Sequence, residues 1–176
     1  LVVAKNDAAH MALANQFQDR DVEKKYLALV CGRMPRQEGD IRAAIDRHPT
    51  HRKRMTVTDG SGREAWTRYR VLEQYESAAH VEAELMTGRT HQVRVHLLHL
   101  GCPLIGDATY GKRQNARFVL KTGIQASRQM LHAWKLSFFH PRLRERMFFS
   151  ARVPQDFQHI LSLLREQGPA FVNPGA

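Results

Sequence analysis

Two polar side chains in apolar surroundings are the first candidates for chemistry in this sequence. Arg94 lies in the segment Thr90–Gly101, where steps of about 100° place Val93, Leu97 and Leu100 on one helical face. Arg94 borders this apolar stripe. Because a guanidinium keeps its proton, a buried Arg94 needs an acidic partner, and it would then orient a carboxylate. The alternative is an arginine whose stem covers apolar surface while its head reaches water.

Tyr26 is the second candidate, and it lies in the strand-like segment Glu23–Gly32. Alternation places Tyr26 on one face with Ala28 and Val30, and places the apolar residues between them on the other face. A strand tyrosine usually packs its ring and exposes its hydroxyl to water. Periodicity alone therefore does not assign Tyr26 a chemical role.

Ten histidines raise the question of metal or acid–base chemistry. His91, His96 and His99 share the predicted helix, with Gln92, His96 and His99 roughly opposite its apolar stripe. Only His96 and His99 are spaced to meet, and no carboxylate or cysteine stands beside them, so the sequence predicts no metal site. Histidine-dependent cleavage of RNA remains a hypothesis without a distinctive residue arrangement.

The charge of the chain favours a polyanionic partner. The net charge is +10 and the pI is near 10.2, which is typical of proteins that bind nucleic acid. The segment Arg47–Arg54 concentrates this charge around the helix-breaking Pro49. A solvated loop is the ordinary alternative. We predict phosphate contacts in this segment, and the residues expected to make them are Arg47, His48, Arg52, Lys53 and Arg54.

Length and composition indicate one globular domain of 176 residues, 43% of them hydrophobic. We expect the domain to span residues 1–167, with a disordered tail over 168–176. Cys31 and Cys102 lack motif spacing, as in reduced cytoplasmic proteins. No apolar run is long enough for a membrane span, and no export signal opens the chain.

The elements that must position these residues are mostly strands, and they predict an α+β fold with a mixed, mostly antiparallel sheet and flanking helices. A strand over residues 80–86 precedes the helix of Arg94, for which Thr90 is the expected N-cap. The remaining expectations are a leading strand at Leu1–Lys5, a helix capped by Asn6 or Asp7, a hairpin joining 55–58 to 65–72 through the 59–62 turn, and a mobile loop over 112–128.

Five motifs, spread over nearly the whole chain, resemble motifs of the RluA/RluD-type pseudouridine synthases and follow one another in the same order. The two longest are Thr87-Gly-Arg-Thr-His-Gln-Val-Arg-Val-His-Leu97 and Gly101-x-Pro-Leu-Ile-Gly-Asp-x-x-Tyr-Gly111. The others are Lys25-Tyr-x-Ala-x-Val-x-Gly32, Arg47-His-Pro-Thr-x-Arg52 and Leu131-His-Ala-x-x-Leu-x-x-x-His-Pro141. The Arg-His-Pro-Thr stretch and Val153-Pro-Gln-Asp156 are most similar to the branch that modifies large-subunit ribosomal RNA.

This resemblance implies isomerisation of a uridine that leaves its stack in a ribosomal RNA stem-loop, by a monomeric enzyme without cofactor or metal. It implies that the ring of Tyr26 lies against the uracil, with its hydroxyl a candidate for proton removal. Arg94 matches the arginine that pairs with the family's catalytic aspartate. Arg89, His91 and Gln92 belong to the same motif and are expected to contact RNA.

The family's catalytic aspartate occupies a His-Arg-Leu-Asp-x-x-Thr-Ser-Gly stretch, which this sequence does not contain. That stretch precedes the strand that Leu1–Lys5 matches. We therefore expect the nucleophilic aspartate to lie upstream of Leu1, the partner acid of Arg94 to come from outside this chain, and the chain alone to be inactive. The alternative is a non-catalytic RNA-binding or ribosome-assembly module on the same fold.

Overall fold

Strands dominate the fold, and every strand pair is antiparallel, as expected for the α+β class. The structure is a computed structural model that describes residues 2–175. Its elements are α1 (Asp7–Asp19), β1 (Glu23–Cys31), β2 (Glu38–Arg42), β3 (Ile45–Arg47), β4 (Met55–Val57), β5 (Trp66–Gln74), β6 (Ala78–Leu85), α2 (Gln92–His99), α3 (Lys112–Thr122), β7 (Leu131–Phe139), β8 (Arg146–Ser150), α4 (Gln155–Glu166) and β9 (Phe171–Val172). The main sheet has the order β2-β5-β6-β1-β7-β8, with β9 on β5, while β3 and β4 form a separate pair.

The alternation of β1 divides the core as predicted. Leu27 and Leu29 face a core that contains α4 and Phe118 of α3. Ala28 and Val30 face the opposite core, to which α2 contributes Val93 and Leu97. The central sheet is therefore covered by α3 and α4 on one face and by α2 on the other.

Helix α2 begins one residue later than predicted. His91, in the left-handed conformation with φ of 56°, occupies the N-cap position that we had assigned to Thr90. His96 was expected on the polar face, but it is fully buried. Its ring lies 2.8 Å from the Thr67 hydroxyl and 3.0 Å from the Ala43 carbonyl, and these bonds offset the cost of burying a polar ring.

The predicted hairpin between residues 55–58 and 65–72 is wrong. Strand β4 pairs with β3, whereas β5 pairs with β2 and β6. The glycine-rich segment 59–62 therefore leads from the small sheet to the large one. Turn residues signalled a change of direction here, but pairing partners depend on distant residues that the local pattern does not contain.

Residues 112–128 were predicted to form a mobile loop, but α3 occupies 112–122. The helix is anchored because Phe118 is buried and packs in the core with α4. It ends at Gly123, whose left-handed conformation lets its amide bond to the Val119 carbonyl. The polar and basic composition reflects the exposed side of this helix rather than disorder.

Both ends of the chain differ from expectation. The segment 168–176 was predicted to be disordered, yet Phe171 and Val172 form β9 and pair with Gln74 and Glu73. The described residues of the expected leading strand, 2–5, form no strand, and Leu1 and Ala176 lie outside the described residues. The expected N-cap Asn6 is confirmed, since its side chain accepts a 2.9 Å bond from the Ala9 amide.

Candidate active site and nucleic-acid interface

A buried ion pair occupies the position where a charge partner for Arg94 was expected. Arg94 donates from Nε to Asp107 Oδ2 at 2.8 Å and from Nη2 to Asp107 Oδ1 at 2.7 Å. The Asp107 side chain is 0% exposed and that of Arg94 is 13% exposed. Arg94 therefore has the acidic partner that its burial requires, and the alternative of a solvated guanidinium is wrong.

The source of this acid corrects the sequence analysis. We expected the partner of Arg94 to come from outside the chain, whereas Asp107 of the Gly106–Gly111 segment supplies it. Burial by itself would raise the pKa of Asp107, but hydrogen bonds from Arg94 and from the amides of Tyr110 and Thr109 outweigh it and hold that pKa below its usual range. The hydrogen bond to Asp107 in turn raises the pKa of Arg94.

Tyr110 extends this pair towards the small sheet. The Arg94 guanidinium lies over the Tyr110 ring, 4.7 Å from its centroid. The Tyr110 hydroxyl accepts a 2.8 Å bond from the Met55 amide and lies 3.0 Å from His91 Nδ1. Burial, together with the charge of Arg94, lowers the pKa of His91. At neutral pH the His91 imidazole is therefore uncharged, and its Nδ1 can either donate a hydrogen bond to the Tyr110 hydroxyl or accept one from it, depending on the tautomer.

Two glycines fix the loop that carries Asp107 and Tyr110. Gly106 and Gly111 have φ of 75° and 69°, values that L side chains rarely adopt. A Cβ on Gly106 would collide with the carbonyl of Arg128, and one on Gly111 would collide with Pro103. The Asn115 side chain completes the loop by accepting a bond from the Gly106 amide and donating to the Gly111 carbonyl.

Tyr26 lies in a separate, mostly apolar groove of about 630 Å³. Its ring is half-buried and packs against the core to which α2 contributes. A bulge directs it: Lys25 pairs with Lys135 but Tyr26 pairs with Ala133, so Trp134 is an extra residue on β7. Burial raises the pKa of Tyr26, so its hydroxyl is protonated at neutral pH. Other residues that line this groove are Val2, Val3, Phe17, Leu136 and Phe149.

Most of the predicted phosphate ligands share one groove of about 400 Å³ between the small sheet and the start of α2. We call it the basic groove, and its cations are Arg47, Arg52, Lys53, Arg63 and Arg89. Burial and the neighbouring charge of Arg63 lower the pKa of Arg89. Because like charges crowd the groove, a bound anion would relieve their repulsion.

Four predicted RNA contacts fall outside this groove. One of them is His91, whose Nδ1 lies 3.0 Å from the Tyr110 hydroxyl. Gln92 is 2% exposed, and its side chain bonds to Thr87, the Arg89 amide, Thr67 and the Trp66 carbonyl. It therefore holds the Thr87–Arg89 turn in place and is not available to RNA. His48 Nδ1 accepts from the amides of Thr50 and His51 and stabilises the loop. Arg54 does not line the basic groove.

Sequence reasoning assigned no role to Asp107, Tyr110 or Arg63. Asp107 and Tyr110 belong to the Gly106-Asp-x-x-Tyr-Gly111 motif, whose two glycines signalled a constrained loop without indicating what it contacts. Arg63 lies in the segment interpreted as a hairpin, so its isolated bridge to Ile45 was not foreseen. Within residues 2–175 no group of three His, Cys, Asp or Glu side chains is arranged to hold a metal, and no helix has the length and apolar character needed to cross a membrane.

Comparison with known proteins gives consistent matches. The chain is 42% identical over 165 residues to the ribosomal large subunit pseudouridine synthase D of Nitrosomonas europaea, covering 94% of this chain and 47% of that protein. It is 42% identical over 177 residues to the Pseudomonas aeruginosa protein of the same name, covering 98% and 55%. The chain thus spans about half the length of these curated relatives.

Solved structures share the fold. The human RNA pseudouridylate synthase domain containing 1 protein superposes with a TM-score of 0.71 at 29% identity, covering 98% of this chain and 76% of that one. The corresponding human domain containing 4 protein gives a TM-score of 0.72 at 27% identity, with coverage of 96% and 70%. The family model described as RNA pseudouridylate synthase matches residues 1–99. By sequence and by fold, this chain belongs to the RNA pseudouridylate synthase family.

Proposed function

We propose that this chain forms the uridine-binding and RNA-binding part of a pseudouridine synthase that acts on large-subunit ribosomal RNA. The observation that carries the proposal is the Arg94–Asp107 pair, a buried cation held in place by its own chain. The names of the bacterial relatives support ribosomal RNA as the substrate. We expect the protein to act in the cytoplasm as a monomer.

Arg94 is suited to orient a second carboxylate. A guanidinium has five N–H donors, and the bonds to Asp107 use Nε and Nη2. No described residue accepts a hydrogen bond from Nη1, which leaves that nitrogen available to the nucleophilic aspartate proposed to lie upstream of Leu1. Asp107 is a positioning residue in this scheme, because its buried carboxylate already accepts four hydrogen bonds. A carboxylate held by Arg94 would stay ionised and aligned for attack.

Tyr26 supplies the surface against which the uracil ring would lie. Its groove has apolar walls, which suit a base that has left its stack. The raised pKa of Tyr26 means that the hydroxyl begins as a hydrogen-bond donor. To remove a proton from the base, the hydroxyl would have to pass its own proton to another acceptor as it takes up the new one.

The function is tested by replacing Tyr26 with Phe in the longer protein that carries an upstream His-Arg-Leu-Asp stretch. We expect pseudouridine formation, measured by the release of tritium from C5 of uridine in RNA, to fall at least about 100-fold, since only a proton-transfer group is lost. RNA affinity should be unchanged. Tyr69→Phe is the matched control, because Tyr69 is a buried strand tyrosine whose hydroxyl lies against Gly39.

Near-normal turnover of Tyr26→Phe would remove Tyr26 from the reaction. Arg94→Ala is a poorer test, because it leaves the buried Asp107 without its cation and weakens the fold. The non-catalytic module is distinguished by the residues encoded before Leu1. A natural start without the His-Arg-Leu-Asp stretch, together with RNA binding but no pseudouridine, would favour the module.

RNA binding by the basic groove is tested with Arg52→Gln/Lys53→Gln. Each phosphate contact releases counterions, so loss of two contacts should make the plot of log Kd against log salt less steep by about 1.4–1.8. The measurement is binding of a ribosomal RNA stem-loop over a series of salt concentrations. An unchanged slope would assign Arg52 and Lys53 to an ordinary solvated loop.

A further inference from the structure

We infer that the exposed face of α3 is a second RNA-binding surface, which holds phosphates of a double-stranded stem beside the uridine site. The inference rests on the proposed function and adds to it where the stem would lie. The inner side of α3 anchors the helix through Phe118 and holds the Asp107 loop through Asn115. The charge of its outer face has no part in either role and therefore calls for a separate explanation.

The exposed face of α3 carries cations without anionic partners. Lys112, Arg113 and Arg117 are exposed, and none of them forms an ion pair with a described residue. The helix contains no acidic residue, and only Lys121 is paired, with Glu76 at 2.7 Å. Arg113 and Arg117 are one turn apart, so their side chains leave the same face about 6 Å from each other.

The cations at the start of α3 lower the stability of the helix. The N-terminal end of a helix carries partial positive charge, which favours acidic residues in the first turn and disfavours cations. The first turn of α3 has no acidic residue and begins with Lys112 and Arg113. A helix that served only to cover the core would gain from the opposite arrangement, whereas phosphates of a bound RNA would neutralise this one.

The position of α3 is fixed relative to the candidate active site. Asn115, on the inner side of the helix, bonds to Gly106 and to the carbonyl groups of Leu104 and Gly111. Tyr110, whose hydroxyl bonds to Met55 in the basic groove, precedes Lys112 by two residues. The Cα atoms of Tyr110 and Arg113 are thus at most about 11 Å apart. An RNA whose loop occupies the basic groove would bring its adjoining stem within reach of α3.

The side chains of this face suit a duplex better than a single strand. Proteins that grip single-stranded RNA stack its bases on aromatic side chains, and the one aromatic residue of α3, Phe118, is buried. Double-stranded RNA is recognised largely through its shape and its phosphates. A row of long cations on one helical face provides that kind of contact.

The test compares Arg113→Gln/Arg117→Gln with the unchanged chain on two probes. One probe is an RNA hairpin whose stem is about one helical turn long, and the other is a short single-stranded oligouridylate. For the hairpin we expect the plot of log Kd against log salt to become less steep by about 1.8. Between 50 and 200 mM salt, the variant should therefore lose about tenfold less affinity than the unchanged chain. The slope for the oligouridylate should not change.

Arg142→Gln/Arg144→Gln is the control, because it removes the same charge from the exposed turn after β7, and it should leave both slopes unchanged. An unchanged hairpin slope for the α3 variant would overturn the inference. That result would also be expected if this face, with its exposed Leu120, bound a protein instead of RNA. Equal losses on both probes would overturn the assignment to the stem. An unaltered chain that binds neither probe would instead contradict the proposed function itself.

Discussion

Asp107→Asn is expected to lower the free energy of unfolding by about 3 kcal/mol or more, because it leaves the Arg94 guanidinium buried without a compensating charge. The substitution keeps the size of the side chain and part of its hydrogen bonding to the Tyr110 amide. What it removes is the negative charge that makes burial of Arg94 tolerable. Chemical denaturation at neutral pH gives the free energy directly.

Asp156→Asn is a matched control for this prediction. Arg128 and Asp156 form the same two-bond arrangement, at 2.7 and 2.8 Å, but their side chains are 38% and 41% exposed. Water and salt screen such a pair, so its loss should cost no more than about 1 kcal/mol. Equal losses at Asp107 and Asp156 would mean that burial does not set the strength of the Arg94 pair.

The second large effect is expected at Glu73, which joins the centre of the sheet to the end of α4. Arg165 donates two bonds to its carboxylate, at 2.7 and 2.8 Å, and the Tyr75 hydroxyl donates a third at 2.6 Å. His80 Nδ1 lies 3.1 Å from the same carboxylate. Burial would raise the pKa of Glu73, but these hydrogen bonds outweigh it and hold that pKa well below its usual range.

Glu73→Gln should lower the free energy of unfolding by about 2–3 kcal/mol at neutral pH. The folded state depresses the pKa of Glu73, so its stabilising effect is complete above the unfolded value of about 4.3 and is lost as pH falls towards the folded value. The difference between wild type and variant should therefore shrink as pH falls below about 4. Unfolding free energies measured from pH 7 down to acid conditions test this.

Glu76→Gln is the control for the acid series, since the ion pair of Glu76 with Lys121 lies at the surface, where the Glu76 side chain is 85% exposed. It should leave the unfolding free energy unchanged at every pH within error. A constant difference between wild type and Glu73→Gln down to low pH would show that the carboxylate charge is not what stabilises this cluster.

Local patterns predicted the parts of the fold whose determinants are local. Alternation in β1 assigned Leu27 and Ala28 to opposite cores, and the Asn6 cap was found, because both depend on residues close in sequence. The pairing partners of β4 and β5 depend on residues that are distant in the sequence. The folding of residues 112–122 into α3 depends on distant contacts as well. The burial of Phe118 and the bonds of Asn115 decide whether 112–122 folds, and nothing in the polar composition reveals them.

The candidate site shows the same division. Arg94 was identified because it borders an apolar helical stripe, where a buried guanidinium would need an acid. Helix geometry left the solvated arginine open as an alternative, and it was the family resemblance that favoured pairing. The identity of that acid was missed, because Asp107 reaches Arg94 only through a loop whose course two positive-φ glycines determine. Gln92 was misassigned because its motif suggested RNA contact, while its four bonds to nearby groups are visible only once β5 lies beside α2.

The extra residue in β7 makes the direction of Tyr26 a property of the neighbouring strand. Deleting Trp134 would let β7 pair with β1 without interruption and with its partners unchanged, but it would remove both the bulge and the Trp134 side chain that lines the Tyr26 groove. Tyr26 would remain in the sequence but lose the wall that frames it. Substitution at position 26 thus alters the reactive group and keeps its surroundings, whereas shortening β7 by one residue would do the reverse.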